Sequence, residues 1–199
     1  MWRGGLGRGG WVGAVAAGLA AVVAVIGSGC IGTTDRADFK ETIRQRGGGL
    51  TSELSGDAVA AVAAELDVVV DDVEVRTVTV TPLDATVVLE VRDPGVPGNL
   101  DRYVVRRGAV DEVAPIRLAA NDDLDAQTFP VADLALDEVE SMVDAALAEF
   151  GPGGYVSSLS AGRTGPAEGV VIQLALESPR AAATALFTPG GELLEVTRT

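Results

Sequence analysis

Carboxylates are the side chains of this sequence most able to do chemistry. The chain has 29 acidic residues and no histidine, which excludes Ser-His-Asp and Cys-His arrangements and removes the commonest metal ligand. The closely spaced acids are Asp71 with Asp72, after the first predicted helix, and Glu138 with Glu140, in the first turn of the second. Acids at a helix start complement its dipole, so we interpret Glu138 and Glu140 as structural. An aromatic content of 4% also leaves little with which to build a sugar-cleaving cleft.

Three oxygen-bearing side chains have the spacing of a calcium loop. Asn121, Asp123 and Asp125 fall at its first, third and fifth positions. Ala126 stands where a glycine is needed, and Ala132 stands where a bidentate glutamate should be. We therefore interpret this segment as a solvated acidic linker and predict no metal site.

The basic residues do not indicate a binding or catalytic site either. Arg106 and Arg107 beside Gly108 could hold an anion, but a charge pair at a hairpin tip is the simpler interpretation. Lys40 is the only lysine and lies in a predicted tether, so a Ser-Lys dyad is not expected. No phosphate-binding glycine motif stands between a strand and a helix. We predict no catalytic residue, no cofactor and no enzyme activity.

Cys30 is the only cysteine, so no intramolecular disulfide can form. Arg3 and Arg8 precede an uncharged apolar run at 11–26, and Gly27-Ser28-Gly29 brings small residues up to Cys30. This order is typical of a secretory signal peptide. Residues 26–30 resemble the lipobox of bacterial lipoproteins, although Gly27 stands where leucine is usual. The resemblance implies cleavage after residue 29 and a lipid, such as palmitate, carried through Cys30.

Two alternatives to a lipid anchor remain open. The uncharged stretch 9–34 is long enough to cross a hydrocarbon core of about 30 Å as a retained helix. Plain secretion is the other alternative. All three interpretations place the rest of the chain on the extracytoplasmic face of the cell membrane, because the flanking arginines are N-terminal.

The charge of the chain limits its partners. The formal net charge is −14, and removal of residues 1–29, with their two arginines, makes it −16. Such a surface repels nucleic acid. It keeps a secreted protein in solution or attracts cations and basic partners.

Hydrophobic periodicity predicts an α+β fold. We expect a helix at 57–66 capped by Ser55 or Asp57, and a second at 136–150 with Asp137 and Glu140 as a capping pair. A phase slip near Arg76 indicates a bulge or an edge strand. Strands are predicted at 73–81, 85–92, 102–107, 113–118, 155–161, 170–177, 181–188 and 192–198.

The two halves resemble each other in element order. An offset of 80 places Asp57 on Asp137, and an offset of 85 places Leu89 on Leu174. We predict two similar modules, each one helix packed on an antiparallel sheet of three to four strands. Chance similarity is the alternative, because apolar alternation is common. The predicted segments are a signal peptide (1–29), a flexible tether (30–50), a first module (51–118), an acidic linker (119–132) and a second module (133–199).

The end of the chain carries a family resemblance. The hairpin Phe187-Thr188-Pro189-Gly190-Gly191-Glu192-Leu193-Leu194, with the helix before it, resembles PepSY-type domains, and residues 136–198 match better than the first half. Thr188 stands where that family has aspartate. The resemblance implies a secreted, non-catalytic module that in some relatives restrains or assists peptidases. The element order is also similar to tandem secreted inhibitor folds.

These observations predict a lipid-anchored envelope protein that acts as a non-catalytic binding module. Its expected partners are the membrane, through the lipid on Cys30, and an envelope protein. The PepSY-type resemblance suggests a secreted enzyme as that partner. The alternative function is a carrier of a lipid or small apolar ligand, which requires a cavity between helix and sheet.

Overall fold

The computed structural model describes residues 49–163 and 169–199. The predicted signal peptide, Cys30, Lys40 and the tether up to residue 48 lie outside the described residues. Leu50, at the end of the predicted tether, is buried in the core. Among the described residues, no helix is both long and apolar enough to cross a membrane.

Helix α1 spans Ser52–Leu66 and begins earlier than predicted. The Thr51 side chain caps it by accepting a hydrogen bond from the Leu54 N–H at 3.3 Å. The predicted caps Ser55 and Asp57 are wrong, because both lie within the helix and Ser55 is fully buried. Its core-facing residues are Ser55, Ala58, Val59, Val62 and Ala63.

Helix α2 is a short turn at Leu124–Gln127, and helix α3 spans Val139–Phe150 after a 3₁₀ turn at Leu136–Glu138. The predicted apolar stripe of α3 is confirmed: its buried residues are Val139, Met142, Val143, Ala146 and Phe150. The predicted capping pair of Asp137 and Glu140 is wrong, because no side chain caps this helix.

In the described part of the chain, nine strands form one antiparallel sheet in the order β4-β3-β2-β1-β6-β7-β8-β9, with β5 paired to the start of β1. Their bounds are β1 Glu74–Thr81, β2 Thr86–Arg92, β3 Leu100–Arg106, β4 Ala109–Pro115, β5 Phe129–Pro130, β6 Tyr155–Arg163, β7 Val170–Ser178, β8 Ala181–Phe187 and β9 Leu193–Arg198.

One face of this sheet is the core and carries both long helices. Because paired residues in adjacent strands share a face, the register defines rows that run across the sheet. One core row is apolar from end to end: Val196, Ala185, Leu174, Leu159, Val80, Val87, Val105 and Val110. Side chains of α1 and α3 join these residues in one hydrophobic cluster.

Two local features show how turns and bulges set the strands. The register shifts between Val75 and Thr77, which confirms the bulge predicted near Arg76, and β1 is an interior strand. Strand β4 begins earlier than the predicted 113–118. It follows a two-residue turn at Arg107 and Gly108, whose φ angles are 54° and 72°. Because this turn is tight, β4 pairs with β3 directly after it. The first residues of β4 therefore lie in the strand although the sequence there shows no apolar alternation.

The antiparallel α+β class is confirmed, whereas an arrangement of two separate modules is not. A helix followed by four strands occurs twice along the chain. However, β1 pairs with β6, so the strands make one sheet, and the described residues belong to one compact unit. The predicted linker contains α2 and β5, and Phe129 within it is buried. The domain boundaries stay predictions.

Candidate binding surface

The two acids predicted to complement the dipole of the second helix have different roles. Glu140 reaches across to α1, where the Ser52 N–H donates to Glu140 Oε1 at 3.0 Å and the Ser52 hydroxyl contacts Oε2. Hydrogen bonds from the Ser52 side chain, and then from its backbone, lower the pKa of Glu140 below its ordinary value. Glu138 remains local and accepts a hydrogen bond from Ser141 Oγ at 3.1 Å. Glu140 therefore links the two long helices.

The predicted calcium-like loop uses its carboxylates to hold the chain. Asp123 caps α2 by accepting from the Ala126 N–H at 3.2 Å, and Asp125 forms an ion pair with Arg92 at 2.7 Å. Within 49–163 and 169–199, no group of three or more metal-ligating side chains is placed to hold an ion. Asp71 lies with Asp72 in a 3₁₀ turn at Val70–Asp72 and lines an open groove.

Arg92 is the centre of a charge network that sequence reasoning missed. Its guanidinium pairs with Glu74 at 3.1 Å and Asp125 at 2.7 Å, and Nε donates to the Pro97 carbonyl at 2.8 Å. The hydrogen bond to Asp125, and then the one to Glu74, raise the pKa of Arg92 above its ordinary value. Asp125 lies 33 residues away in the chain, so no local spacing signals the pairing. Arg92 ties the end of β2 to the β2–β3 loop and to α2.

The predicted arginine pair does not form an anion site. Arg106 forms an ion pair with Asp111, and Arg107 lies in the turn between β3 and β4. Both line an open groove of about 590 Å³ together with Asp84, Thr86 and Asp111. The two aspartates balance the two arginines, so this groove has no net positive charge to attract an anion.

The second face of the sheet is the strongest candidate for a functional surface. Alternation places a second row beside the apolar core row, on the opposite face: Glu195, Leu186, Gln173, Ser160, Thr79, Val88, Val104 and Glu112. Only the two residues at its ends are charged. Both long helices lie on the core face, and only the short helix α2 among the described helices is tied to this face, at its end, through the Asp125–Arg92 ion pair. We call it the open face.

Small hydroxyl-bearing side chains dominate the middle of the open face. Thr77, Thr79 and Thr81 alternate along β1, and Ser158 and Ser160 lie on β6 beside them. All five are half-buried. In a chain with 29 acids, a row without charge across the interior strands is distinctive, because the next row of this face already carries Glu90 and Arg102. It offers hydrogen bonds and a flat contact area without a large desolvation cost for charges.

Comparisons with known proteins identify the fold but no family. Neither a family model nor a curated protein matches the sequence. Among solved structures, the chain is similar to the crystal structure of a putative lipoprotein from Clostridium difficile 630. The TM-score is 0.53 and the identity 13%, over 73% of this chain and 92% of the other. This likeness shows a shared fold. The PepSY-type resemblance stays a prediction.

Proposed function

We propose that this protein is a lipid-anchored envelope protein that binds a partner protein through the open face of its sheet. The observation that carries the proposal is the contrast between the two faces of one sheet. One face is closed by the two long helices over an apolar row, whereas the other has a row that is uncharged between its ends, is rich in hydroxyl groups at its middle and is not covered by either long helix. The sequence contains no histidine with which to add common acid–base chemistry.

The lipid anchor is part of the same proposal. The Gly27-Ser28-Gly29-Cys30 segment supports it, as does the fold shared with a protein described as a putative lipoprotein. We also propose that the two halves descend from one helix-and-meander unit, since their element order repeats and their strands meet at the β1–β6 pair. An enzyme of the envelope is the partner class suggested by the PepSY-type resemblance.

Photo-crosslinking in the native envelope tests the open face. A photo-reactive residue at Thr79 or Ser160, on adjacent strands of this face, should give discrete adducts with another protein. The same residue at Asp144, on the exposed side of α3, is the matched control. A second variant, Thr79→Arg, should remove the adduct formed at Ser160 because it places a charge in the uncharged row. Adducts from Asp144 alone, or none from the open face, would contradict the proposal.

The anchor has its own test. In a host with the lipoprotein pathway, the protein should lose residues 1–29 and partition into detergent, and Cys30→Ala should prevent both. Detergent partition that survives Cys30→Ala, with an intact mass retaining the N-terminal segment, would show a helix anchor instead.

The carrier alternative needs a cavity that the helix–sheet interface does not favour. Ala58, Val59 and Val62 of α1 are each no more than 3% exposed, so small side chains bring the helix close to the sheet. The grooves near Arg92 and Arg106 open elsewhere and are lined by charged residues, prolines and loop residues. Binding of a fluorescent fatty acid by the delipidated protein, with competition by unlabelled lipid, would favour the carrier.

A further inference from the structure

An open groove at one end of the sheet combines apolar and acidic side chains. It has a volume of about 520 Å³ and lies where β1 begins and β2 ends. Its lining residues are Asp71, Asp72, Glu74, Arg92, Asp93, Pro94, Pro97 and Pro130. We call it the end groove. It is separate from the uncharged middle of the open face.

Exposed apolar side chains are concentrated in the loops that line this groove. Among the described residues, five large hydrophobic side chains are exposed, and three of them are Val69 (64%), Val70 (42%) and Val96 (52%). Val70 directly precedes Asp71, and Val96 lies between Pro94 and Pro97. Exposed apolar residues grouped in this way, with three prolines beside them, are typical of a protein-binding site.

The charges of the end groove indicate the chemistry of its occupant. Arg92 neutralises Glu74. Within the described part of the chain, Asp71 and Asp72 have no ion-pair partner, and Asp93 accepts only the Gly95 and Val96 N–H groups. Three carboxylates therefore keep their negative potential beside an apolar patch. A segment that carries both cationic and apolar side chains complements this combination.

The groove is also held in shape before any partner arrives. The Arg92 guanidinium makes three contacts together: with Glu74 on β1, with the Pro97 carbonyl in the β2–β3 loop and with Asp125 on α2. The Asp93 carboxylate fixes the loop itself through the Gly95 and Val96 N–H groups, at 2.7 and 3.1 Å. A preformed groove loses less conformational entropy on binding.

We propose that the end groove docks an extended, arginine- or lysine-bearing segment of a partner protein. The carboxylates of Asp71, Asp72 and Asp93 pair with its cationic side chains, and the valines and prolines contact its apolar ones. This proposal goes beyond binding at the open face and does not depend on it.

Peptide binding by the mature, lipidated protein in neutral detergent micelles tests the proposal. The probe is a short fluorescent peptide of alternating arginine and leucine, followed by anisotropy, with a glutamate–leucine peptide and protein-free micelles as blanks. The groove variant combines Asp71→Asn, Asp72→Asn and Asp93→Asn, which removes charge but keeps an acceptor at Asp93. The matched control removes the same charge from the exposed acids of the helices through Glu65→Gln, Asp144→Asn and Glu149→Gln.

The groove variant should weaken binding about tenfold and the control less than about twofold, since each carboxylate makes a modest, screened contribution. Val70→Ser with Val96→Ser should weaken binding several-fold, whereas Thr79→Arg on the open face should leave it unchanged. Equal weakening by the groove variant and the control would show diffuse attraction to an acidic protein and overturn the proposal. Absence of saturable binding would overturn it as well.

Discussion

The carboxylate of Glu140 couples protonation to folding because it accepts hydrogen bonds from Ser52 at the start of α1. These bonds lower the pKa of Glu140 below the ordinary value of 4.5. A group with a depressed folded-state pKa stabilises the fold above its unfolded-state pKa, and that stabilisation is lost as the pH falls through the folded-state value.

We therefore expect Glu140→Gln to be less stable than the parent protein at neutral pH, by no more than about 1 kcal/mol because the group is exposed. The difference should shrink as the pH falls below 4.5. The urea midpoints of the parent protein and of Glu140→Gln, measured from neutral pH to pH 3, give this difference. Glu138→Gln, whose carboxylate accepts a hydrogen bond from the neighbouring Ser141, is the control. A difference that stays constant over this pH range would contradict the coupling.

The environment of Ser55 predicts the effect of a substitution on stability. Its side chain is fully buried in α1, and its hydroxyl has no hydrogen-bond partner among the residues that the structure describes. A buried hydroxyl without a partner costs free energy, and alanine is the best helix former. Ser55→Ala should therefore raise the free energy of unfolding by about 1 kcal/mol. Ser141→Ala, at an exposed position of α3, should change it little. A destabilised Ser55→Ala protein would indicate a bonded hydroxyl.

At the scale of elements, α3 is held by its apolar stripe more than by its ends. Val139 is fully buried and Val143 is 7% exposed, so this face is core and is not free to bind a partner. The first turn lacks a side-chain cap. Packing against the sheet must therefore supply most of the stability of this helix.

The contrast between its two sides is testable. Val143→Asp should cost several kcal/mol, because it places an unpaired carboxylate in the core. Glu138→Ala, at the exposed N-cap position directly before α3, should cost no more than about 1 kcal/mol through the helix dipole. Chemical denaturation of both variants makes the comparison. Similar midpoints would contradict the packing described for α3.

At the scale of the molecule, the pairing of β1 with β6 makes the two halves depend on each other. Val78 pairs with Ala161 and Val80 with Leu159 at the centre of the sheet, and all four side chains are at most 1% exposed. Separating the halves would expose this seam and leave two long unpaired edges. It would also remove the Ser52–Glu140 contact between the helices.

A fragment spanning residues 133–199 should therefore be unfolded or aggregated under conditions in which a chain of residues 49–199 is folded. Such a short chain also buries little apolar surface. Circular dichroism during thermal unfolding, with residues 49–199 as the reference, measures this. Cooperative unfolding of the fragment alone would instead support independent modules. An equimolar mixture with residues 51–132 should recover structure if the β1–β6 seam is what the fragment lacks.

Much of this fold could be predicted from residues that are close together in the sequence. Alternation of apolar residues predicted most strands to within a few residues, and the apolar stripe of α3 and the bulge near Arg76 were readable for the same reason. These signals depend on neighbours close in the chain, whose side chains must face one core. Strand β4 was misplaced because an edge strand with exposed residues carries little alternation.

Only the tertiary structure decided which distant residues meet. The β1–β6 pairing joined two predicted sheets into one, and it defined an open face that no single strand reveals. Ser52 with Glu140, and Arg92 with Asp125, are partners across 88 and 33 residues. Their side chains are brought together by packing of the helices and loops onto the sheet. Spacing along the chain carries no signal for such contacts, since any of many carboxylates could have served.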